Sequence, residues 1–117
     1  MGAEIRRGDV ILVDLEPIIG SEKGKTRPCV IIQNDIGNKY SPLTIIAVIT
    51  RQKEIDKKYP TDVWVNKDAG GLDNDSIIQC DQIKTIDKMR IIKKYGSFDK
   101  KIMKDIDKSI KISLDLT

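Results

Sequence analysis

The sequence predicts a mainly β fold, a small antiparallel barrel followed by a C-terminal α-helix. Short β-branched runs recur through the first ninety residues at intervals of roughly ten to fifteen residues. This spacing is typical of small barrels and leaves no room for the helical crossovers of βαβ units. Near residue 99 the apolar period changes from that of a strand to that of a helix. With 117 residues and no internal repeat, one domain spanning residues 1–117 is expected.

The predicted strands are runs of β-branched residues that end at Gly, Pro, Asn or Asp. The clearest runs are Val10–Leu15, Cys29–Gln33, Leu43–Thr50, Thr61–Val65 and Ser76–Cys80. Two weaker runs, Lys84–Ile86 and Ile91–Tyr95, are predicted as further short strands. The segments 34–38 and 68–71 have the composition of turns between strands.

The segment Asp99–Leu114 is predicted to be an amphipathic helix. Its apolar residues recur mostly at i and i+4, and lysines occupy the opposite face. Ser97 or Asp99 can cap its N-terminus, because either side chain can accept a hydrogen bond from the first turn. We expect the apolar face of this helix to cover the barrel.

The composition excludes several kinds of active site. The chain contains no histidine, which removes the usual general acid–base residue and the usual metal ligand. Its two cysteines, Cys29 and Cys80, are too few for a four-ligand zinc site and are predicted to be buried free thiols. No apolar run approaches a membrane span and no signal peptide precedes the first strand, so a cytoplasmic protein without membrane contact is expected.

The charge is unevenly distributed along the chain. The formal net charge is +3, yet residues 84–111 carry ten basic and four acidic side chains. Basic patches of this kind suit nucleic acid or an acidic peptide. The stretch Gly20–Thr26 looks in part like a nucleotide-binding P-loop, but it has one residue too few between its glycines. A strand-like run follows where a P-loop needs a helix, so a nucleotide hydrolase is excluded.

Polar side chains suited to phosphate lie in the long loop 17–27 and at two strand ends. Arg27 precedes Pro28, which favours extended backbone, and a guanidinium can bind phosphate through two hydrogen bonds. Thr50 ends the strongest apolar strand, and Asp81 and Gln82 follow another. Taken singly, each also suits an ordinary role, as a surface ion pair, a strand-ending residue or a turn.

Taken together and in this order, these segments resemble the MazF/PemK/Kid family of toxin endoribonucleases. The matching segments are Gly8-Asp9-Val10, the loop Gly20-Ser21-Glu22 with Gly24, the run Thr26-Arg27-Pro28-Cys29-Val30, the pair Ile49-Thr50, and Asp81-Gln82-Ile83-Lys84-Thr85-Ile86-Asp87. The resemblance extends from about residue 7 to the C-terminal helix.

The resemblance implies a fold, a reaction and partners. The fold would be an SH3-like antiparallel barrel of the plasmid-maintenance toxin type with a C-terminal helix, working as a homodimer. The reaction would be sequence-specific cleavage of single-stranded mRNA to 2′,3′-cyclic phosphate and 5′-hydroxyl ends, without metal or other cofactor. The partner would be a cognate antitoxin whose acidic C-terminal segment competes with RNA, and DNA would be contacted only through that antitoxin.

The resemblance also implies roles for individual residues. Arg27 and Thr50 match the family's catalytic arginine and threonine, and Glu22 and Asp81 match acidic positions with catalytic or RNA-binding roles in some members. The expected catalytic residues are therefore Arg27, Thr50 and Glu22. The expected RNA-binding residues are Ser21, Lys23, Asn34, Arg51, Gln52, Asp81 and Gln82.

Two other functions remain open at the level of sequence. One is a non-enzymatic toxin of the CcdB type, which shares the barrel but binds gyrase. The other is a plain SH3-like RNA-binding module, which the basic patches alone would allow.

Overall fold

A computed structural model of the chain describes residues 4–15 and 26–116. It contains six strands, β1 (Asp9–Asp14), β2 (Thr26–Ile31), β3 (Leu43–Arg51), β4 (Asp62–Val65), β5 (Ser76–Asp87) and β6 (Ile91–Ser97). Two α-helices, α1 (Asp35–Tyr40) and α2 (Lys100–Leu114), and short 3₁₀ turns at Gln52–Glu54, Ala69–Gly71 and Lys88–Arg90 complete the described elements. The predicted mainly β fold with a C-terminal helix is confirmed.

All six strands belong to one antiparallel sheet in the order β4-β5-β3-β2-β1-β6. Strands β4 and β6 stand at the two ends of this order, so hydrogen bonding between described residues does not close the sheet into a full barrel. The arrangement is that of an opened barrel, in which both weakly predicted strand segments pair with their neighbours.

Both faces of the sheet are buried, which explains why several strands read as continuous apolar runs. One face carries the helix-side core, which includes Val30, Ala47, Ile49 and Ile106 of α2. The other carries the far-side core of Ile5, Ile11, Val13, Cys29, Ile31, Ile46, Val48 and Ile86. Neighbouring residues alternate between the two cores because successive side chains point to opposite faces of a strand.

Strand β5 corrects the expectation of two separate strands, Ser76–Cys80 and Lys84–Ile86. It is continuous over Ser76–Asp87 but irregular in the middle, since Val48 of β3 pairs with Gln79 and the next residue, Ala47, pairs with Ile83. The intervening residues 80–82 form a bulge. The polar pair at 81–82, which looked like a strand end in the sequence, is this local break in the pairing.

The segment 34–38, expected to be a turn, is instead the start of α1. Asn34 is its N-cap and accepts a hydrogen bond from the Gly37 backbone at 2.8 Å. Asn38 is buried and its side-chain oxygen accepts a hydrogen bond from the Thr44 hydroxyl at 2.8 Å. These tertiary contacts stabilise one and a half turns of helix from a sequence whose Asn and Gly favour turns.

Helix α2 agrees with its prediction. Asp99 caps it by accepting from the Ile102 backbone N–H at 2.9 Å. Ile106 is fully buried against the sheet, and Asp107 forms an ion pair with Arg7 at 2.6 Å. Within the described part of the chain, no helix combines the length and apolar character that crossing a bilayer requires.

Both cysteines are free and buried, as predicted. Burial raises the pKa of the Cys29 thiol from 9.0 to about 12, against the opposing charges of Lys84 and Arg27. Burial also raises the pKa of Cys80 to about 12, and nearby carboxylates add to this shift. Both side chains therefore act as small apolar core residues rather than nucleophiles.

Candidate active site

A cavity of about 310 Å³ lies beside the ends of β2 and β3. Its lining comes from β2, β3, β6, the turn after β3 and the segment before β5. The lining residues are Thr26, Arg27, Pro28, Ile49, Thr50, Arg51, Glu54, Leu72, Asp73, Asn74, Ser76 and Tyr95. The cavity is open to solvent, and its lining combines charged and polar residues with the apolar Ile49 and Leu72.

The cavity exists because β2 and β3 stop pairing at Cys29. Their ladder includes only Cys29–Ile31 of β2, whereas β1 holds the same strand as far as Thr26. Pro28 lies at the point where the ladder with β3 ends and has no backbone N–H to extend it. Strand β3 continues through Arg51, paired with β5 on its other side. A gap between β2 and β3 is the result.

Arg27 and Thr50 face each other across this gap. Cys29 pairs with Val48, and continuing that antiparallel register by two residues brings Arg27 opposite Thr50. Side chains alternate along a strand, so Arg27 shares a sheet face with Cys29, and Thr50 shares it with Val48. Both residues line the same cavity. The structure therefore brings together the two residues on which the sequence interpretation depends.

The charged groups at the rim have no partners among the described residues. No hydrogen bond or ion pair within 4–15 and 26–116 involves the side chains of Arg27, Arg51, Glu54 or Asp73. By contrast, Arg7 binds Asp107, and Arg90 donates to the Asp14 carbonyl. Arg27 and Arg51, which no described residue pairs, favour an anionic ligand such as phosphate, whereas Glu54 and Asp73 at the same cavity oppose it.

Another part of the lining is formed by Tyr95 of β6 and by residues 72–74, which follow the turn Ala69–Gly71. Gly71 has φ +83°, and a Cβ built on it would lie 2.3 Å from the carbonyl oxygen of Tyr95. Leu72 follows and is buried in the helix-side core. The close approach that only glycine permits therefore holds the turn against Tyr95 directly before Leu72, which lines the cavity together with Tyr95.

The other predicted site residues divide into three groups. Arg51 lines the cavity, while the Gln52 amide donates to the carbonyls of Val65 at 3.1 Å and Ser76 at 3.3 Å and so joins three strand ends. Asn34 caps α1, and Asp81 and Gln82 lie in the β5 bulge. None of these three lines the cavity. Ser21, Glu22 and Lys23 lie outside the described residues.

Sequence reasoning did not identify several residues of the cavity. Glu54, Asp73, Asn74 and Tyr95 line it, yet the first three look like turn residues and Tyr95 like part of a weak strand. In the sequence, the only feature that marks these residues is the negative charge of Glu54 and Asp73 close to apolar runs. Within the described residues, His, Cys, Asp and Glu form no cluster of three or more that could hold a metal ion.

The fold and the cavity define a class of protein: a small antiparallel β protein with two arginines at a cavity between two diverging strands and no histidine for chemistry. Residues 6–114 match the sequence model of a family described as PemK-like, MazF-like toxin of type II toxin–antitoxin system. The chain belongs to this family.

Curated relatives cover nearly the whole chain. It is 45% identical over 112 residues to the endoribonuclease EndoA of Bacillus subtilis (strain 168), a match covering 96% of each protein. It is 51% identical over 113 residues to the endoribonuclease MazF of Staphylococcus saprophyticus, covering 96% of this chain and 92% of that protein.

Solved structures agree with the fold. An endoribonuclease in complex with its cognate antitoxin from a mycobacterial species has a TM-score of 0.80 at 20% identity, covering 97% of both chains. A MazE–MazF crystal structure from Deinococcus radiodurans (Form-II) has a TM-score of 0.79 at 16% identity, covering 99% of this chain and 100% of that chain. At these identities the likeness concerns the fold.

Proposed function

We propose that this toxin is a sequence-specific endoribonuclease that cleaves single-stranded mRNA at the gap between β2 and β3. The observation that carries the proposal is that Arg27 and Thr50 lie on facing strand ends and line the same cavity. The guanidinium of Arg27 has no hydrogen-bond or ion-pair partner among the described residues. The endoribonuclease names of both curated relatives support the same reaction. One domain spanning residues 1–117 would carry this activity.

In the proposed reaction the ribose 2′-oxygen attacks the adjacent phosphorus atom. The bond from phosphorus to the 5′-oxygen breaks, which leaves a 2′,3′-cyclic phosphate and a 5′-hydroxyl. Arg27 neutralises the extra negative charge of the phosphorane and assists the leaving 5′-oxygen, while the Thr50 hydroxyl donates to a phosphoryl oxygen. This fits a site without imidazole, where electrostatic stabilisation and positioning supply most of the rate enhancement.

The proton of the attacking 2′-hydroxyl needs an acceptor other than Arg27. An arginine side chain stays protonated at any physiological pH, so it cannot act as the base. Glu22 keeps the role of candidate base from the sequence interpretation. Asp81, the other candidate, is an exposed residue of the β5 bulge. It lies about 17 Å along the strand from Ser76, which is the residue of β5 that lines the cavity. We therefore prefer Glu22.

The proposed partners follow from the family. The chain would act as a homodimer in the cytoplasm, bind single-stranded RNA, and be inhibited by a cognate antitoxin with an acidic C-terminal segment. DNA would be reached only through that antitoxin. Two of the similar structures are described as complexes with an antitoxin or with MazE, which supports such a partner. Arg27 and Arg51, which have no partner among the described residues, would attract acidic peptide and RNA alike.

The test is cleavage of a long single-stranded RNA in EDTA, with the ends identified chemically. We expect discrete cuts that end in 2′,3′-cyclic phosphate and 5′-hydroxyl. Replacing Thr50 by Ala should slow cleavage by roughly 10²-fold, the loss typical for one transition-state hydrogen bond. The matched control is Thr85→Ala, an exposed threonine of β5 outside the cavity, which should cleave normally. Intact RNA bound by the wild-type protein would overturn the proposal and indicate an RNA-binding module.

A further inference from the structure

The end of β3 that carries Thr50 is held by strand pairing on one side only. Its ladder with β2 stops at Val48, whereas its ladder with β5 continues to Arg51. Within the described residues, β5 is therefore the strand that pairs with Thr50. A strand end that is paired on one side frays more readily than a strand inside a sheet, because fewer contacts must break to open it. A hydroxyl that has to face Arg27 across an open gap therefore needs a further restraint.

Gln52, the residue after β3, supplies such a restraint. Its backbone N–H donates to the carbonyl of Asp75 at 3.0 Å, which extends the pairing of β3 with the β5 segment by one hydrogen bond. Its side-chain amide donates to the carbonyls of Val65 at 3.1 Å and Ser76 at 3.3 Å. Val65 ends β4 and Ser76 begins β5, so one side chain joins the ends of three neighbouring strands next to the cavity that Ser76 lines.

The same contacts occupy the donors of the Gln52 side chain. An amide NH₂ group can donate two hydrogen bonds, and both of its partners here are backbone carbonyl oxygens. Only the nitrogen end of the amide can face two such acceptors, so its orientation is fixed by these partners. Gln52 is half-buried and is not among the residues that line the cavity. Its position therefore suits a role behind the site, and not the contact with RNA that the sequence predicted.

The strand end that Gln52 holds carries the hydroxyl of the candidate site. Thr50 and Arg51 lie directly before Gln52 and line the cavity. Arg27 belongs to β2, which is paired with β1 at that position, so a shift of the β3 end would move Thr50 relative to Arg27. A displacement of about 1 Å at a group that acts on the reacting atoms can cost on the order of 10² in rate.

We propose that Gln52 is a positioning residue of the ribonuclease site, whose amide holds the end of β3 so that the Thr50 hydroxyl faces the phosphate bound by Arg27. The proposal rests on the proposed function for the reaction that Thr50 serves. The restraint on β3 itself exists whether or not RNA is cut, so the two proposals can be tested separately.

The first test is Gln52→Met, a side chain of similar length without a hydrogen-bond donor. Cleavage rates over a range of RNA concentrations give kcat and KM separately. We expect kcat to fall about tenfold while KM stays within about twofold, because Thr50 is displaced and no contact with RNA is lost. The matched control is Gln33→Met. The Gln33 amide also donates to two oxygens, those of the Leu43 carbonyl and the Asn38 side chain, both at 3.0 Å, but at the other end of β3. Its loss should leave kcat unchanged.

A double-mutant cycle tests whether Gln52 acts through Thr50. In a Thr50→Ala background there is no hydroxyl to misplace, so adding Gln52→Met should change kcat by no more than about twofold. A role in stability alone would lower kcat by the same factor in both backgrounds. Gln52→Asn keeps the amide but is one methylene shorter, and it should show an intermediate loss of about threefold. This milder variant takes the same measurements if Gln52→Met does not fold.

The restraint on β3 is measured without RNA through the NMR order parameter of the Thr50 methyl group. This order parameter should fall in Gln52→Met. The order parameter of the Thr44 methyl group, which is fully buried near the other end of β3, should stay unchanged. If the Thr50 methyl group becomes more mobile while the wild-type protein leaves RNA intact, the restraint stands and the ribonuclease function fails.

Five results would overturn the proposal. They are an unchanged kcat in Gln52→Met, an effect confined to KM, an equal loss of kcat in Gln33→Met, a full loss of kcat in the Thr50→Ala background, and an unchanged order parameter of the Thr50 methyl group. An effect confined to KM would make Gln52 an RNA-binding residue instead.

Discussion

Replacing Arg27 by Ala separates catalysis from stability at this site. Arg27 is exposed and has no ion pair or hydrogen bond with any described residue, so its removal leaves no orphaned partner among them. The free energy of unfolding should therefore stay within about 0.5 kcal/mol of the wild-type value. Loss of a preorganised donor to a developing anion costs about 2.7–4 kcal/mol in the transition state, or roughly 10²–10³ in kcat.

The assay is single-turnover cleavage of end-labelled RNA at saturating protein, with urea denaturation of each variant. Arg6→Ala, an exposed arginine outside the cavity, is the activity control. Arg7→Ala should give the opposite pattern. It should lose roughly 1 kcal/mol of unfolding free energy, because its partly exposed ion pair with Asp107 is lost, while kcat changes little. An Arg27→Ala variant that cleaves within a few fold of wild type, or that unfolds much more easily, would refute the reasoning.

Two further predictions concern the cavity wall and the thiols. Gly71→Ala should lose about 2 kcal/mol or more in urea denaturation, because its Cβ would lie 2.3 Å from the Tyr95 carbonyl oxygen at φ +83°. Gly37→Ala, whose Cβ would meet the Gln33 side chain rather than backbone, should lose less, and equal losses would count against the wall geometry. Cys29 and Cys80 should resist a thiol reagent in the folded protein at pH 8 and react after unfolding. Because burial raises both pKa values from 9.0 to about 12, stability should be intact below pH 9 and fall as the pH rises toward 12, and a stability that rises there would contradict the burial.

The strands could be predicted from sequence because burial on both faces leaves a strong local signal. Helix α1 could not, because its stability depends on the buried contacts of Asn38 with β3, and Asn and Gly read as turn residues. The continuity of β5 was missed for a similar reason. Its pairing with β3 resumes after the bulge at residues 80–82, and only the position of the neighbouring strand reveals that.

The candidate site was partly predictable. Arg27 and Thr50 lie in recognisable segments, and their proximity follows once β2 is known to pair with β3. The part of the lining formed by residues 72–74 and Tyr95 depends on the packing of the Ala69–Gly71 turn against β6, a contact between segments about twenty residues apart with no local pattern. Asp73 and Tyr95 therefore become visible as site residues only in the folded protein.

The central claim is that the guanidinium of Arg27 and the hydroxyl of Thr50 act on one phosphodiester. The most direct measurement is a crystal structure of the protein with a single-stranded RNA that carries a 2′-deoxyribose at the cut site and so cannot be cleaved. We predict that both groups lie within hydrogen-bond distance of oxygens of the same phosphate. A bound RNA whose scissile phosphate contacts neither residue, or only one of them, would contradict the account.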